Sequence, residues 1–138
     1  MQFAGILTWA VARQSMWEAW VDSQADDPDA RHEEGGYFVR NADGSVGCER
    51  WPRGYNAVIL PPQTPYGQYN GKWVISEFHT HPNPAPYVQG PSPADLHAII
   101  GEAYEAESYV VARNAIYRVE VDGSVNELPI APASLSLD

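Results

Sequence analysis

His79-Thr80-His81-Pro82, followed by Ser92-Pro93-Ala94-Asp95, gathers the residues of this chain best suited to chemistry, with Glu33 far upstream. Two imidazoles and a carboxylate are a workable set of three protein ligands for a catalytic zinc, which keeps a fourth position open. The serine adds a hydrogen-bond donor and the distant glutamate a proton carrier. Alternate residues of a strand point to one side, so His79 and His81 on a strand reach one ion together. Asp95 then sits one turn into a following helix, and the proline-rich spacer 82–91 brings it alongside. Each part has a plain structural reading. Paired histidines on a strand occur by chance, and Ser92-x-x-Asp95 is by itself a helix N-cap with an acid in the first turn. The joint pattern, with an upstream acid opening a glycine-rich strand, is more specific than its parts.

Other polar residues compete for these roles. Glu34 neighbours Glu33 and points to the opposite face of a strand. Glu77 lies two residues before His79 and shares its side. His32 and His97 read as surface residues, the second because it falls about 200° round a helix from a point two residues earlier. Cys48 stands alone, which rules out an internal disulfide and a cysteine-rich zinc site; it reads as a partly buried thiol in a strand. Tyr66, Tyr69, Trp73 and Tyr87 are candidates to line a groove for an extended peptide.

The elements that position these residues follow from periodicity and breakers. Residues 4–22 read as an amphipathic helix, with Ile6, Trp9, Ala10, Met16, Trp17, Trp20 and Val21 on the apolar face and Arg13 inside it. Residues 23–32 form a loop. Glu33 to Arg40 and Ser45 to Trp51 read as a hairpin about Asn41-Ala42-Asp43-Gly44. Ala57 to Leu60 reads as a short strand ended by Pro61-Pro62, residues 61–72 as an ordered loop, and Trp73 to Phe78 as the strand that delivers the histidines. Ser92 caps a helix with Pro93 at its first position, running to about Glu107. Ser108 to Ala112 is a strand, and Ala115 to Val121 with Ser124 to Leu128 a closing hairpin. The expected fold class is α+β, three layers with a mixed sheet between an N-terminal helix and a second helix after the histidine motif. Residues 1–138 form one domain, with a tail, 130–138, expected to fray.

Composition bounds the partners. The 138 residues carry 8 Lys plus Arg against 18 Asp plus Glu, a formal net charge of −10. The basic patch of a nucleic-acid-binding domain is missing from such a chain. Five Trp and eight Tyr make the core or a binding surface aromatic. No segment reads as a membrane span or a cleavable signal peptide, so the expected place is the cytoplasm, or secretion as an effector without such a peptide.

Taken together, Glu33-x-Gly-Gly, His79-x-His81-Pro82 and Ser92-x-x-Asp95 resemble the motif of the JAB/MPN (JAMM) metalloprotease family, over Glu33 to Asp95. The wording is most similar to bacterial JAB-like domains of polymorphic toxins and secreted effectors. The resemblance implies a cytidine-deaminase-like, JAB1-MPN architecture and a zinc-dependent peptidase or isopeptidase. It assigns His79, His81 and Asp95 as zinc ligands, with a water in the fourth position. Glu33 would take and return that water's proton, and Ser92 would donate to the carbonyl oxygen. Implied partners are a peptide or protein substrate, including a ubiquitin-like conjugate, and a cognate immunity or carrier protein. Ubiquitin-specific relatives carry long insertions, whereas segment 82–91 here is a minimal spacer. The alternative within the same fold is a catalytically silent binding or scaffold module.

Overall fold

The computed structural model describes residues 3–137. In chain order the elements are α1 (Ala10–Asp22), β1 (Gly35–Arg40), β2 (Val46–Arg50), β3 (Gln68–Tyr69), β4 (Lys72–His81), α2 (Pro93–Glu102), β5 (Ser108–Ala112), β6 (Ile116–Val119) and β7 (Val125–Leu128). They build a mixed, seven-stranded sheet in the order β2-β1-β4-β5-β6-β7, with the short β3 also on β4. Among the described residues only β4 and β5 run parallel, joined through α2; the other pairs are antiparallel. The fold is α+β.

Strand alternation divides the sheet into two apolar faces. Phe38, Phe78, Tyr109 and Val111 point to the side covered by α1. Tyr37 and Val39 point to the other, where Trp51 and Ile59 meet them. Phe78 lies on the α1 side, so Glu77, His79 and His81 face away from that helix. α2 crosses this second face: its first turn brings Asp95 to the histidines, and Tyr104, just beyond its end, bonds Glu77.

Several expectations are corrected. The single helix over 4–22 is instead a 3-10 turn at Gly5–Thr8 followed by α1. Gly5 takes a left-handed φ of 62° and Trp9 an extended conformation, while the Ile6 N–H donates to Glu107 Oε2 at 2.7 Å. A distant carboxylate thus satisfies an amide that a helix beginning at residue 4 would have left without an intrahelical partner. The buried stripe of α1 is Ala12, Met16 and Ala19, ending in Ser23; Trp17 and Trp20 flank it half-buried, and Trp9 and Val21 are exposed. Small residues at the contact let the helix backbone approach the sheet, and the indoles spread to either side. Arg13 lies over the Phe3 ring, 4.7 Å from its centroid.

Residues 57–60 form no strand. The chain turns back on itself at Tyr55, whose N–H donates to Val58 O at 2.7 Å, and Pro61-Pro62 removes the next two donors. α2 stops at Glu102, not Glu107, because Ala103 adopts a left-handed φ of 52°. Within the tail, Ile130 is buried, and the 3-10 turn Pro132–Leu135 packs its fully buried Leu135 into the α1 cluster. Asp138, the last residue of that tail, lies outside the described residues. Among the described residues no helix is long and apolar enough to cross a membrane.

Candidate metal centre

Hydrogen bonding along β4 sets the level at which the upstream acid arrives. Thr80, between the two histidines, turns to the α1 side and is fully buried. Its N–H donates to Glu34 O at 2.8 Å, and its hydroxyl accepts from the Glu34 N–H at 3.0 Å. The same hydroxyl lies 2.6 Å from Ser23 Oγ, and the Ser23 hydroxyl donates to Ala19 O at 2.9 Å. With the Ser23 hydrogen committed to Ala19, the Thr80 hydroxyl donates to Ser23. The C-terminal end of α1, β4 and the residues before β1 are thereby tied together at one buried point. Glu33 is held on its other side by the segment 54–55: its N–H donates to Tyr55 O at 2.8 Å and its carbonyl accepts from Gly54 N–H at 3.0 Å.

Thr80→Val keeps the shape and deletes this junction, leaving the buried Glu34 N–H without its acceptor. The expected cost is about 1–3 kcal/mol, read as a lower urea midpoint at unchanged slope. An unchanged midpoint would show that the junction carries no stability.

Glu33 and Glu34 part to opposite sides, as neighbours in an extended chain must. Glu34 is buried in an ionic network: Oε1 accepts from Arg50 Nη2 at 2.6 Å and Oε2 lies 2.5 Å from His32 Nε2. Arg50 also meets Asp22 at 3.2 Å. His32, expected on the surface, is therefore buried, with Nδ1 2.9 Å from Ala30 O. Its side-chain partners, Glu34 and Ala30 O, are local; what buries the pair is the long-range tie of Glu34 to Arg50 of β2, which the residues around His32 do not reveal. His97 is exposed on α2 as expected.

The Glu33 carboxylate points the other way. Glu33, His79 and His81 each offer a ligand atom within 4.8 Å of one another, a cluster that could hold a metal ion. A second set shares the histidines: His79 Nε2 and His81 Nε2 are 3.1 Å apart, and Asp95 Oδ2 lies 3.4 Å from the first and 3.3 Å from the second. Asp95 is placed by a complete capping box. The Ser92 Oγ accepts from the Asp95 N–H at 3.0 Å, and Asp95 Oδ2 accepts from the Ser92 N–H at 2.9 Å. The capping and the clustering are one arrangement. His81 Nδ1 faces Gln89 O at 3.1 Å; a carbonyl accepts only, so Nδ1 carries a hydrogen and Nε2 is the ring nitrogen that faces the cluster.

Electrostatics follow from burial and crowding. Burial works to lower the His79 pKa, but the hydrogen bond to Asp95 and the carboxylates of Asp95, Glu77 and Glu33 outweigh it and the net direction is upward. Burial acts to raise Asp95, yet the two histidines hold its carboxyl well below the usual range. Glu33 is pushed up by burial, partly offset by the histidines. Glu77, on the same side as His79, is pushed up by burial and accepts from the Tyr104 hydroxyl at 2.7 Å. Tyr104 thus gives Glu77 a partner of its own outside the cluster. Cys48 is half-buried in β2, its thiol pushed up by burial, which makes it a poor nucleophile.

Glu33, His81, Ser92 and Asp95 open onto a cleft of about 390 Å³. The four aromatics expected to line one groove are dispersed. Tyr87 borders this cleft, Trp73 lies in a separate depression with Arg40 and Glu102, Tyr69 packs edge-on against Tyr37 at 5.4 Å, and Tyr66 is exposed. No protein-family model and no curated protein matches the chain.

Proposed function

We propose that this protein is a zinc-dependent hydrolase of peptide or isopeptide bonds, of the JAB/MPN (JAMM) type. The observation that carries the reading is the triangle of donors. Zinc holds nitrogen and oxygen ligands at about 2.0–2.2 Å, so two ligands of a tetrahedral ion lie about 3.3 Å apart. The three edges between His79 Nε2, His81 Nε2 and Asp95 Oδ2 measure 3.1, 3.4 and 3.3 Å. One carboxylate and two neutral imidazoles match the charge and softness that zinc prefers. Three protein ligands with a face toward a cleft fit a catalytic ion better than a structural one, which takes four.

Bound at this triangle, zinc would acidify a water and polarise a carbonyl. The chain's own residues supply the rest. Glu33, beside the triangle and at the cleft, takes the proton of the attacking water and delivers it to the leaving amine nitrogen. A buried carboxyl raised by its surroundings is suited to holding a proton between those two steps, although a nearby cation works in the other direction. Ser92 spends its oxygen on the Asp95 N–H, which leaves its hydroxyl hydrogen as a donor to a carbonyl oxygen in the cleft. Gln89 O fixes the ring of His81.

Protein purified without chelator is expected to contain a single zinc per chain, and His79→Ala to contain none. Ion binding at a thousandfold excess over its dissociation constant stabilises by about 4 kcal/mol. Chelation should therefore lower Tm by about 10–20 °C in the wild type and leave His79→Ala unmoved. Zinc-free wild-type protein with no thermal response to added zinc would end this reading.

A further inference from the structure

The cleft at the donor triangle has two walls, and both are apolar. Val58 and Ile59 come from the turned-back segment that follows Glu33's backbone partners; Tyr87 and Val88 come from the spacer between β4 and α2. Val58 is 49% exposed, Tyr87 55% and Val88 64%, so their apolar groups face water at the mouth of a polar floor. An apolar-lined cleft with a few convergent polar groups is the usual form of a small-ligand site. The two walls are braced against each other. Asn83 Nδ2, at the start of one, donates to Asn56 O at 2.9 Å and Asn56 Oδ1 at 3.1 Å, at the start of the other. Gln89 Nε2 then donates to Asn83 O at 2.8 Å and Tyr87 O at 2.9 Å, closing the spacer on itself. The width is fixed before anything enters.

Size and charge restrict the occupant. A cleft of about 390 Å³ is at the small end of ligand sites and takes one or two residues of an extended chain. Its floor contains Glu33 and Asp95, and none of the described residues lining it is Lys or Arg, so once the ion is engaged by the scissile carbonyl an acidic side chain finds two carboxylates and no basic side chain to pair with.

We infer that this cleft is a specificity pocket for a large aliphatic or aromatic side chain next to the scissile carbonyl, and that it rejects an acidic one. The inference rests on the hydrolase reading, since the pocket is defined relative to the triangle.

The test uses zinc-loaded protein and hydroxamates, which bind zinc through their own oxygens. Acetohydroxamate reports the ion alone; N-acetyl-leucine and N-acetyl-aspartate hydroxamates add one side chain each. Calorimetry is expected to give the leucine compound an affinity at least about tenfold above acetohydroxamate, and the aspartate compound an affinity below it. Val58→Ser, and separately Val88→Ser on the opposite wall, should each cut the leucine advantage about fourfold per lost methylene contact, with zinc content unchanged. Acetohydroxamate binding without any preference among the three compounds would overturn the pocket and leave the hydrolase reading standing. Failure of every hydroxamate to bind the zinc-loaded protein would overturn both.

Discussion

Glu33→Gln is expected to give a folded, zinc-containing protein whose hydrolysis is about 10²–10⁴-fold slower, the usual contribution of a positioned proton carrier. The geometry makes the two halves of this result separable. His79, His81 and Asp95 close a triangle of their own, so an ion held there would not depend on Glu33. The backbone of Glu33 is fixed through Tyr55 and Gly54, so a glutamine occupies the same place with the same shape and no base. Stability is expected to hold or rise in the metal-free protein, because burial disfavours the ionised Glu33 carboxyl and the amide carries no such cost. Zinc content by elemental analysis, Tm in chelator and kcat/KM together decide the role. Loss of zinc along with activity makes Glu33 a ligand, consistent with its membership of the histidine cluster. Full activity with zinc retained moves the proton carrier to Glu77, the remaining buried acid on that side of β4. Glu34→Gln is the contrast: its carboxylate serves Arg50 and His32, so the change should lower the denaturation midpoint and spare zinc content.

What was legible in the sequence was what lies within a few residues of itself. His79 and His81 converge because two positions along a strand share a side. Ser92 and Asp95 meet because a capping box needs only the first turn of a helix and its cap, and Pro93 locates that turn. The hairpin turns at 41–44 and 122–123 are marked by Asp and Gly. The misreadings share a different cause. Helical periodicity places Trp9 and Val21 on the apolar face, but which face a helix buries depends on how close its partner comes, and against the sheet α1 buries Ala12, Met16 and Ala19. His32 reads as a surface residue because its partner Glu34 is buried only through Arg50, which comes from β2. Ala57 to Leu60 has the composition of a strand, yet the chain turns back on itself at Tyr55 and the segment becomes a wall of the cleft. Glu107 caps Ile6 across almost the whole chain, and nothing near either residue announces it. Long-range partners of buried polar groups decide such positions, and local pattern does not record them.

The glycine pair of the motif leads to the second large effect. Gly35 is paired directly with His79 across β1 and β4, and a Cβ there would sit 2.5 Å from Trp51 Cε3 and 2.8 Å from Phe78 O. The indole edge has some freedom to move; the carbonyl of Phe78 has none, because it belongs to the backbone of β4 immediately before the first histidine. Gly35→Ala therefore has to push β1 away from β4 at the very level where Glu33 and His79 are held together. Overpacking of this kind costs about 1–3 kcal/mol, and a displacement of about 1 Å at reacting groups costs about 10²-fold in rate. The expected result is a protein with a lowered urea midpoint that still folds well below its Tm, but with activity down about 10²-fold and weakened zinc binding. Gly101→Ala is the matched control, since a Cβ at Gly101 of α2 meets nothing within 4 Å and alanine should gain about 0.8–1.0 kcal/mol of helix propensity. If Gly35→Ala keeps full activity while losing stability, the approach of the two strands serves the core alone and the alignment of Glu33 with the histidines tolerates their separation. If it loses activity out of proportion to stability, the glycines are there so that a proton carrier just before β1 and a metal ligand on β4 can meet.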